Sequence, residues 1–300
     1  MSGALRVRGI ERPLEDELLV VVGPTASGKT DLAIELAEGF GGEVIGADSV
    51  QIYRAFDIGS GKPTAAERAR APHHLVDVFD PLETIDAQRY AELASTLIGS
   101  IRARGRVPIV CGGAFLWVKA LVWGLAKLPP ASPEVRAAHE AIVREGGRSA
   151  LHSKLAEVDP ESAARLSPND YVRVSRALEV YELSGKPQSA WHAEHSFRGT
   201  RHKARLIGVD RSREELDRRI ELRTKGWLEE GWVDEVRSLI ARGYRDARAM
   251  GSVGYKQVLD HLEGRLPGEE LLAAIVRATR VFVRRQRTWL RDQAVTYVPG

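Results

Sequence analysis

Five apolar residues, Leu18-Leu19-Val20-Val21-Val22, lead into Gly23-Pro24-Thr25-Ala26-Ser27-Gly28-Lys29-Thr30, and a helical stretch, Asp31–Glu38, follows at once. A buried strand, a glycine-rich loop and a helix in that order constrain the fold more than any other feature of the chain. The eight loop residues fit G-x-x-x-x-G-K-[ST], the phosphate-cradling P-loop, and the flanking strand and helix are the context that such a site requires. Glycines let backbone N–H groups close on a phosphate, and the helix N-terminus adds positive potential. Lys29 is placed to reach a terminal phosphate, and the Thr30 hydroxyl to bind Mg²⁺. A plain strand–helix turn would not require Lys-Thr at this offset. Alone, the loop proposes a nucleotide (ATP or GTP) user and leaves the phosphate compound open.

The same alternation continues. Glu43–Ile45, Leu75–Val78 and Val107–Val110 read as further strands, with a helix before the last of them. Strands alternating with helices predict a parallel sheet covered on both faces. From about Pro129 to Thr200 the pattern is helical, with starts at Ser132-Pro133-Glu134, Asp159-Pro160-Glu161 and Ser167-Pro168-Asn169. Strand character returns at Leu206–Val209. A capping box, Ser212-Arg213-Glu214-Glu215, then opens a long helix, and Val295–Val298 offers a last strand. The expected architecture is an α/β P-loop core, residues 1–128 and 201–300, interrupted by an all-helical insertion, residues 129–200.

A length of 300 residues with 43% hydrophobic and 28% charged content suits such a globular protein. The single cysteine, Cys111, excludes an internal disulfide and a cysteine-based zinc site and suits a reducing cytosol. Val107–Ala126 is broken by Pro108, Gly112, Gly113 and Lys119, so no membrane span is expected, and residues 1–17 lack the apolar segment of a leader peptide.

Charge is uneven. Residues 201–300 hold 21 Lys and Arg against 15 Asp and Glu, while the first 200 hold 23 against 26. On the helix from about Glu269 to Asp292, Arg277, Arg280, Arg284, Arg287 and Arg291 recur at intervals of three and four, an arc of about 80°. Such a line suits an RNA phosphate track, and equally a solvated helix face. Asp48, after the second strand, sits where parallel sheets place ligands, as a metal ligand or proton acceptor, or simply as an Asx-turn carboxylate. His73-His74 read as structural. Gly39, Gly41 and Gly42 read as a helix C-cap, and Trp117, Trp123, Trp227 and Trp232 as core.

Together the motifs resemble the tRNA dimethylallyltransferases, also called tRNA isopentenyltransferases. The resemblance runs through Gly23–Thr30, Ala47-Asp48-Ser49-Val50-Gln51-Ile52-Tyr53, Asp57-Ile58-Gly59-Ser60-Gly61-Lys62-Pro63 and Pro72–Asp77. It continues through Ser175–Val180 and Gly254-Tyr255-Lys256-Gln257 to Arg284-Arg285-Gln286-Arg287-Thr288-Trp289-Leu290. It implies transfer of a dimethylallyl group from dimethylallyl diphosphate to N6 of the tRNA adenosine 3′-adjacent to the anticodon, with Mg²⁺, in a cytoplasmic monomer. By that resemblance Lys29, the loop and Arg223 hold the departing diphosphate, and Asp48 accepts the N6 proton. Asp48, Ser49, Val50 and Gln51 would hold the target base. Ala114, Arg136 and the run Val172-Arg173-Val174-Ser175-Arg176 would meet the anticodon stem-loop, as would Arg277, Arg280, Arg284 and Arg287.

The chain departs from the family where threonine usually follows Gly112-Gly113, for here it is Ala114; Phe115-Leu116-Trp117 also vary. Three other readings compete: an adenylate isopentenyltransferase, a P-loop small-molecule kinase, and a tRNA-binding protein without turnover.

Overall fold

The computed structural model describes residues 5–195 and 199–300; residues 1–4, part of the stretch read against a leader peptide, and 196–198 lie outside them. A hairpin, β1 (Arg6–Val7) and β2 (Ile10–Glu11), turns through Arg8 and Gly9, both at positive φ, the geometry that matches strand twist. The sheet consists of β3 (Leu18–Val22), β4 (Gly42–Gly46), β5 (His73–His74), β6 (Val107–Gly112), β7 (Ala204–Asp210) and β8 (Val295–Pro299). Their spatial order is β5-β4-β6-β3-β7-β8, and every pairing is parallel. β3 is central and buried at all five positions, which is why its sequence is continuously apolar instead of alternating.

Around the sheet lie α1 (Lys29–Phe40), α2 (Ala65–Arg70), α3 (Ala87–Ala103) and α4 (Phe115–Trp123). The helical segment contributes α5 (Pro133–Val158), α6 (Pro160–Arg165), α7 (Tyr171–Ser184) and α8 (Gln188–His195). After β7 come α9 (Arg213–Glu229), α10 (Trp232–Ala241), a 3₁₀ turn at Arg248–Gly251, α11 (Tyr255–Leu262) and α12 (Gly268–Arg291). No described helix is long and apolar enough to cross a membrane.

The chain divides into two compact units, Met1–Val122 with Arg201–Gly300, and Trp123–Thr200. The first break thus precedes the expected residue 129, because α4 ends at Trp123 and Gly124 turns left-handed (φ 79°). The Arg201 and His202 N–H groups both donate to the Val122 carbonyl (2.8 and 3.2 Å), closing the first unit where the second leaves it.

Three expectations need correction. Leu75–Val78 is not a strand: Leu75 (φ 56°) and Asp77 (φ 62°) are left-handed, and the strand is His73–His74. The Asp77 and Val78 N–H groups donate instead to the Gln51 and Ile52 carbonyls (2.9 and 3.0 Å), so this segment buttresses the loop after β4. Ser167 does not cap α7. It closes a turn in which its carbonyl accepts from the Asp170 N–H (2.9 Å), and Asp170 takes the cap. At Ser212 half of the capping box forms: its hydroxyl accepts from the Glu215 N–H (3.1 Å), but the Glu215 carboxylate is drawn to Arg211.

Candidate active site

The P-loop leaves the carboxyl end of β3 at Val22. Its turn places Ala26 (φ 66°) and Gly28 (φ 92°) in left-handed backbone, a strained conformation for Ala26, which bears a Cβ. A Cβ on Gly23 would lie 2.7 Å from the buried Ser27 Oγ, so a larger residue there would displace that hydroxyl. Gly28, the N-cap of α1, offers no side chain to the first-turn N–H groups, which leaves them for an anion.

Four side chains from the far end of the sequence hold the loop in shape. Arg211 Nε donates to the Ser27 carbonyl (3.0 Å) and Arg219 Nε to the Ala26 carbonyl (2.9 Å). Arg223 Nη2 donates to the Thr25 hydroxyl (2.7 Å). Gln286 accepts from the Thr25 N–H at Oε1 (2.9 Å) and donates from Nε2 to the Gly113 carbonyl (3.2 Å). With the Ser27 carbonyl turned toward Arg211, the Gly28 N–H of the same planar peptide points the other way. The outer clamp therefore aims the inner amides.

The loop forms part of a cavity of about 410 Å³. Cations (Lys29, Arg223, Arg248), one carboxylate (Asp48), hydroxyls (Thr25, Ser49, Ser60) and apolar groups (Trp227, Trp232, Ile275, Phe282) all line it. Burial lowers the Lys29 ammonium pKa, with Cys111 and Asp48 opposing and Arg223 adding to the fall. Burial and then the Arg219 charge push the Arg223 guanidinium down to about 10, with Asp48 opposing. Its Nε is sealed from solvent and unpartnered. Two cations are thus held where neither is fully compensated, which is the electrostatic condition for binding an anion. Cys111 lies beneath the loop with Sγ 3.5 Å from the Lys29 carbonyl, and burial raises its thiol to about 12, so it is not a nucleophile.

Asp48 makes the Asx turn of its structural reading, with Oδ1 accepting from the Val50 and Gln51 N–H groups (2.9 and 3.2 Å), and also lines the cavity. Thr25, Lys29, Ser49, Val50, Ala114 and Arg223 join it there. Gln51 does not; its Nε2 donates to the Ser60 and Gly61 carbonyls (3.0 and 2.9 Å), building the cavity edge instead of facing inward. Thr30 is half-buried in the first turn of α1.

The arginine stripe is split. Arg277, Arg284, Arg287 and Arg291 are exposed, whereas Arg280 pairs with Asp217 of α9 (3.2 Å). Arg287 and Arg291 line a second hollow beside Pro24 with Arg211 and Tyr297. On its inner side α12 gives the cavity Ile275, Thr279, Phe282 and Gln286.

In the helical unit the predicted contacts do not share a surface. Val172 and Arg173 are exposed, but Val174 lies in that unit's core with Leu151, Leu155 and Leu178. The Ser175 hydroxyl meets His139 Nδ1 (2.9 Å). Arg136 and Arg176 converge on the buried Glu179, at 3.0 and 2.5 Å. Burial alone would raise that carboxyl, yet hydrogen bonds from both arginines and the Ser132 N–H hold it below its usual value.

Sequence reasoning missed Arg211, Arg219, Gln286 and the cavity role of Trp227 and Trp232. Arg219 and Arg223 stand at i and i+4 on α9, and Gln286 is a polar break in the apolar row Ile275, Val283, Leu290. Those were the available signals.

The family described as IPP transferase matches residues 51–293. A tRNA dimethylallyltransferase of Sorangium cellulosum is 74% identical over 96% of this chain and 92% of its own length. The chain belongs to the tRNA dimethylallyltransferase family. A Myxococcus xanthus tRNA dimethylallyltransferase is 46% identical over 95% of the chain and 92% of its own. Among solved structures, the tRNA isopentenylpyrophosphate transferase of Bacillus halodurans is similar with a TM-score of 0.70 and 38% identity, covering 95% of this chain and 90% of that one. A eukaryotic dimethylallyltransferase described as acting on tRNA has a TM-score of 0.76 at 26% identity, covering 95% and 74%. The P-loop clamp follows β3 and the Asp48 turn follows β4, two parallel strands that flank β6, so both stand at the carboxyl end of the sheet, the region where α/β sheets bind ligands.

Proposed function

We propose that this chain transfers a dimethylallyl group from dimethylallyl diphosphate to N6 of the tRNA adenosine 3′-adjacent to the anticodon, releasing diphosphate. The observation that carries the reading is the composition of one cavity: Lys29 and Arg223 beside Asp48, with an aromatic wall of Trp227 and Trp232. Cations suit the diphosphate, the wall suits a hydrocarbon, and the carboxylate suits a proton.

In this reading the N6 lone pair attacks C1 of the allyl group as the C1–O bond breaks. The electron pair leaves with the diphosphate, whose charge grows as it departs. Lys29, Arg223 and the loop amides are already fixed around that position, so their stabilisation costs no reorganisation. Asp48 takes the proton from N6. Its Asx turn fixes one carboxylate oxygen, which orients the group. Asp48, Ser49 and Val50 line the space for the base, and Gln51 supports that space from behind. The Thr30 hydroxyl, a hard oxygen donor beside the phosphate site, would help to hold Mg²⁺ there. When bound, the ion neutralises part of the leaving-group charge.

The target adenosine leaves its stack to reach this cavity. The exposed Arg277, Arg284 and Arg287 supply phosphate contacts, and Val172 and Arg173 offer a surface of the helical unit to the stem-loop. Arg136 and Arg176 support that unit through Glu179.

The test is incubation with dimethylallyl diphosphate, Mg²⁺ and an anticodon stem-loop bearing the adenosine, followed by nucleoside mass analysis. Prenylated adenosine is expected. Its absence beside a working control enzyme, or phosphoryl transfer from labelled ATP instead, would overturn the reading.

A further inference from the structure

The aromatic wall of the cavity exists because glycines make room for it. Trp232 is only 1% exposed, and its ring edges lie against two glycines. A Cβ on Gly59 would fall 2.0 Å from its Cε2, and one on Gly254 2.2 Å from its Cη2. A Cβ on Gly61 would likewise meet Trp227 at 2.9 Å. Trp232 is held edge-on between Trp227 (centroids 5.5 Å apart, 82°) and Tyr255 (5.5 Å, 81°). Tyr255 packs against Phe56 at 4.9 Å and donates its hydroxyl to Glu235 (2.7 Å). The indole therefore has little room to turn aside.

The wall is ordered. Arg223 sits 4.5 Å over the ring of half-buried Trp227, and fully buried Trp232 comes one ring further from the charge. A prenyl diphosphate with its phosphates on Lys29 and Arg223 would lay its hydrocarbon along this wall, past Trp227 toward Trp232. A purine suits this wall poorly, because its ring nitrogens need partners. Trp227, Trp232, Ile275 and Phe282 offer few: the Trp232 Nε1–H, which has no acceptor, abuts Gly59.

We propose that Trp232 sets the length of the transferred prenyl chain, admitting a five-carbon allyl group and excluding a ten-carbon one. The proposal rests on the prenyl-transfer reading above. Truncating a large buried side chain opens on the order of 150 Å³, enough for a benzene-sized guest. One further isoprene unit, five carbons, is of that size.

The experiment is a competition in which the full chain, Mg²⁺ and anticodon stem-loop RNA receive equimolar dimethylallyl and geranyl diphosphate, and the nucleosides are weighed. Wild type should yield almost entirely the five-carbon product. Trp232→Ala should raise the ten-to-five-carbon ratio at least tenfold, and Trp232→Leu by less. Both products come from the same active molecules, so the ratio is independent of how much variant folds. A wild-type ratio in both variants overturns the proposal. So does a change confined to the KM for RNA, which would assign the indole to the adenosine. Loss of both products in both variants also overturns it, since an end wall is dispensable to the chemistry. If wild type transfers neither group, the prenyl-transfer reading itself fails, a distinguishable result.

Discussion

Replacing Arg223 with methionine separates what a buried charge does for catalysis from what it does for the fold. Its Nη2 lies 2.7 Å from the Thr25 hydroxyl and its guanidinium 4.5 Å over Trp227. Desolvation, then Arg219, lowers its pKa from 12.5 to about 10. A drop of that size corresponds to roughly 3 kcal/mol by which the fold disfavours the charged form. The charged form is the protonated one, so this penalty is fully present at neutral pH. It is relieved only as pH rises through about 10 toward the unfolded value. On the other side stand one charged hydrogen bond, about 1.5–3 kcal/mol, and one cation–π contact, about 0.5–2 kcal/mol. The terms nearly cancel. Arg223→Met should therefore melt within about 4 °C of wild type, at roughly 2–4 °C per kcal/mol. Removing one preorganised charge from the leaving diphosphate should lower kcat by about 10²–10³. Scanning fluorimetry with and without inorganic diphosphate checks both halves: the ligand should raise the wild-type melting temperature and leave the variant's nearly unchanged. A variant that melts far lower yet transfers prenyl groups within tenfold of wild type would refute the reasoning, because the arginine would then be structural.

Asp48→Asn keeps an oxygen to accept from the Val50 and Gln51 N–H groups, so the turn persists while single-turnover prenyl transfer falls by about 10²–10⁴; RNA affinity, measured by filter binding, should change little. Glu179→Gln leaves Arg136 and Arg176 without their counter-charge and should destabilise the helical unit by about 1–3 kcal/mol. That estimate sits below the figure for a sealed pair because Arg136 is 48% exposed, and chemical denaturation would measure it. Ala114→Thr places a hydroxyl in the cavity and should raise turnover at saturating substrate; an equal or slower rate would show that the hydroxyl is unnecessary here.

Much of the fold was legible because its signals are local. β3 is a continuous apolar run, the P-loop is contiguous, and Ser132 and Asp159 cap helices as their Pro-Glu followers announce. Leu75–Val78 misled because apolar β-branched residues also serve a turn whose left-handed backbone is set by its neighbours at 51 and 52. The site divided similarly. Lys29 and Asp48 sit in motifs legible in the sequence, whereas Arg211, Arg219 and Gln286 act on a loop 184 to 261 residues away in the chain. Trp232 looked like core and is core. That it also faces a cavity depends on Gly59 and Gly254, which nothing in its own neighbourhood discloses.

The sheet order has a consequence for how the chain is made. β3 emerges early from the ribosome, but its partner β7 begins only at Ala204, after the whole helical unit. At about 5–20 residues per second, the apolar edge of the central strand waits on the order of 10–40 s for that partner. During that wait the nascent chain carries an intact phosphate-loop sequence without Arg211, Arg219, Arg223 or Gln286 to shape it. It also presents an unpaired strand edge of the kind that chaperones cover. Helices α5 to α8 have local contacts and can fold meanwhile, so synthesis finishes the helical unit before it finishes the clamped P-loop and its cavity.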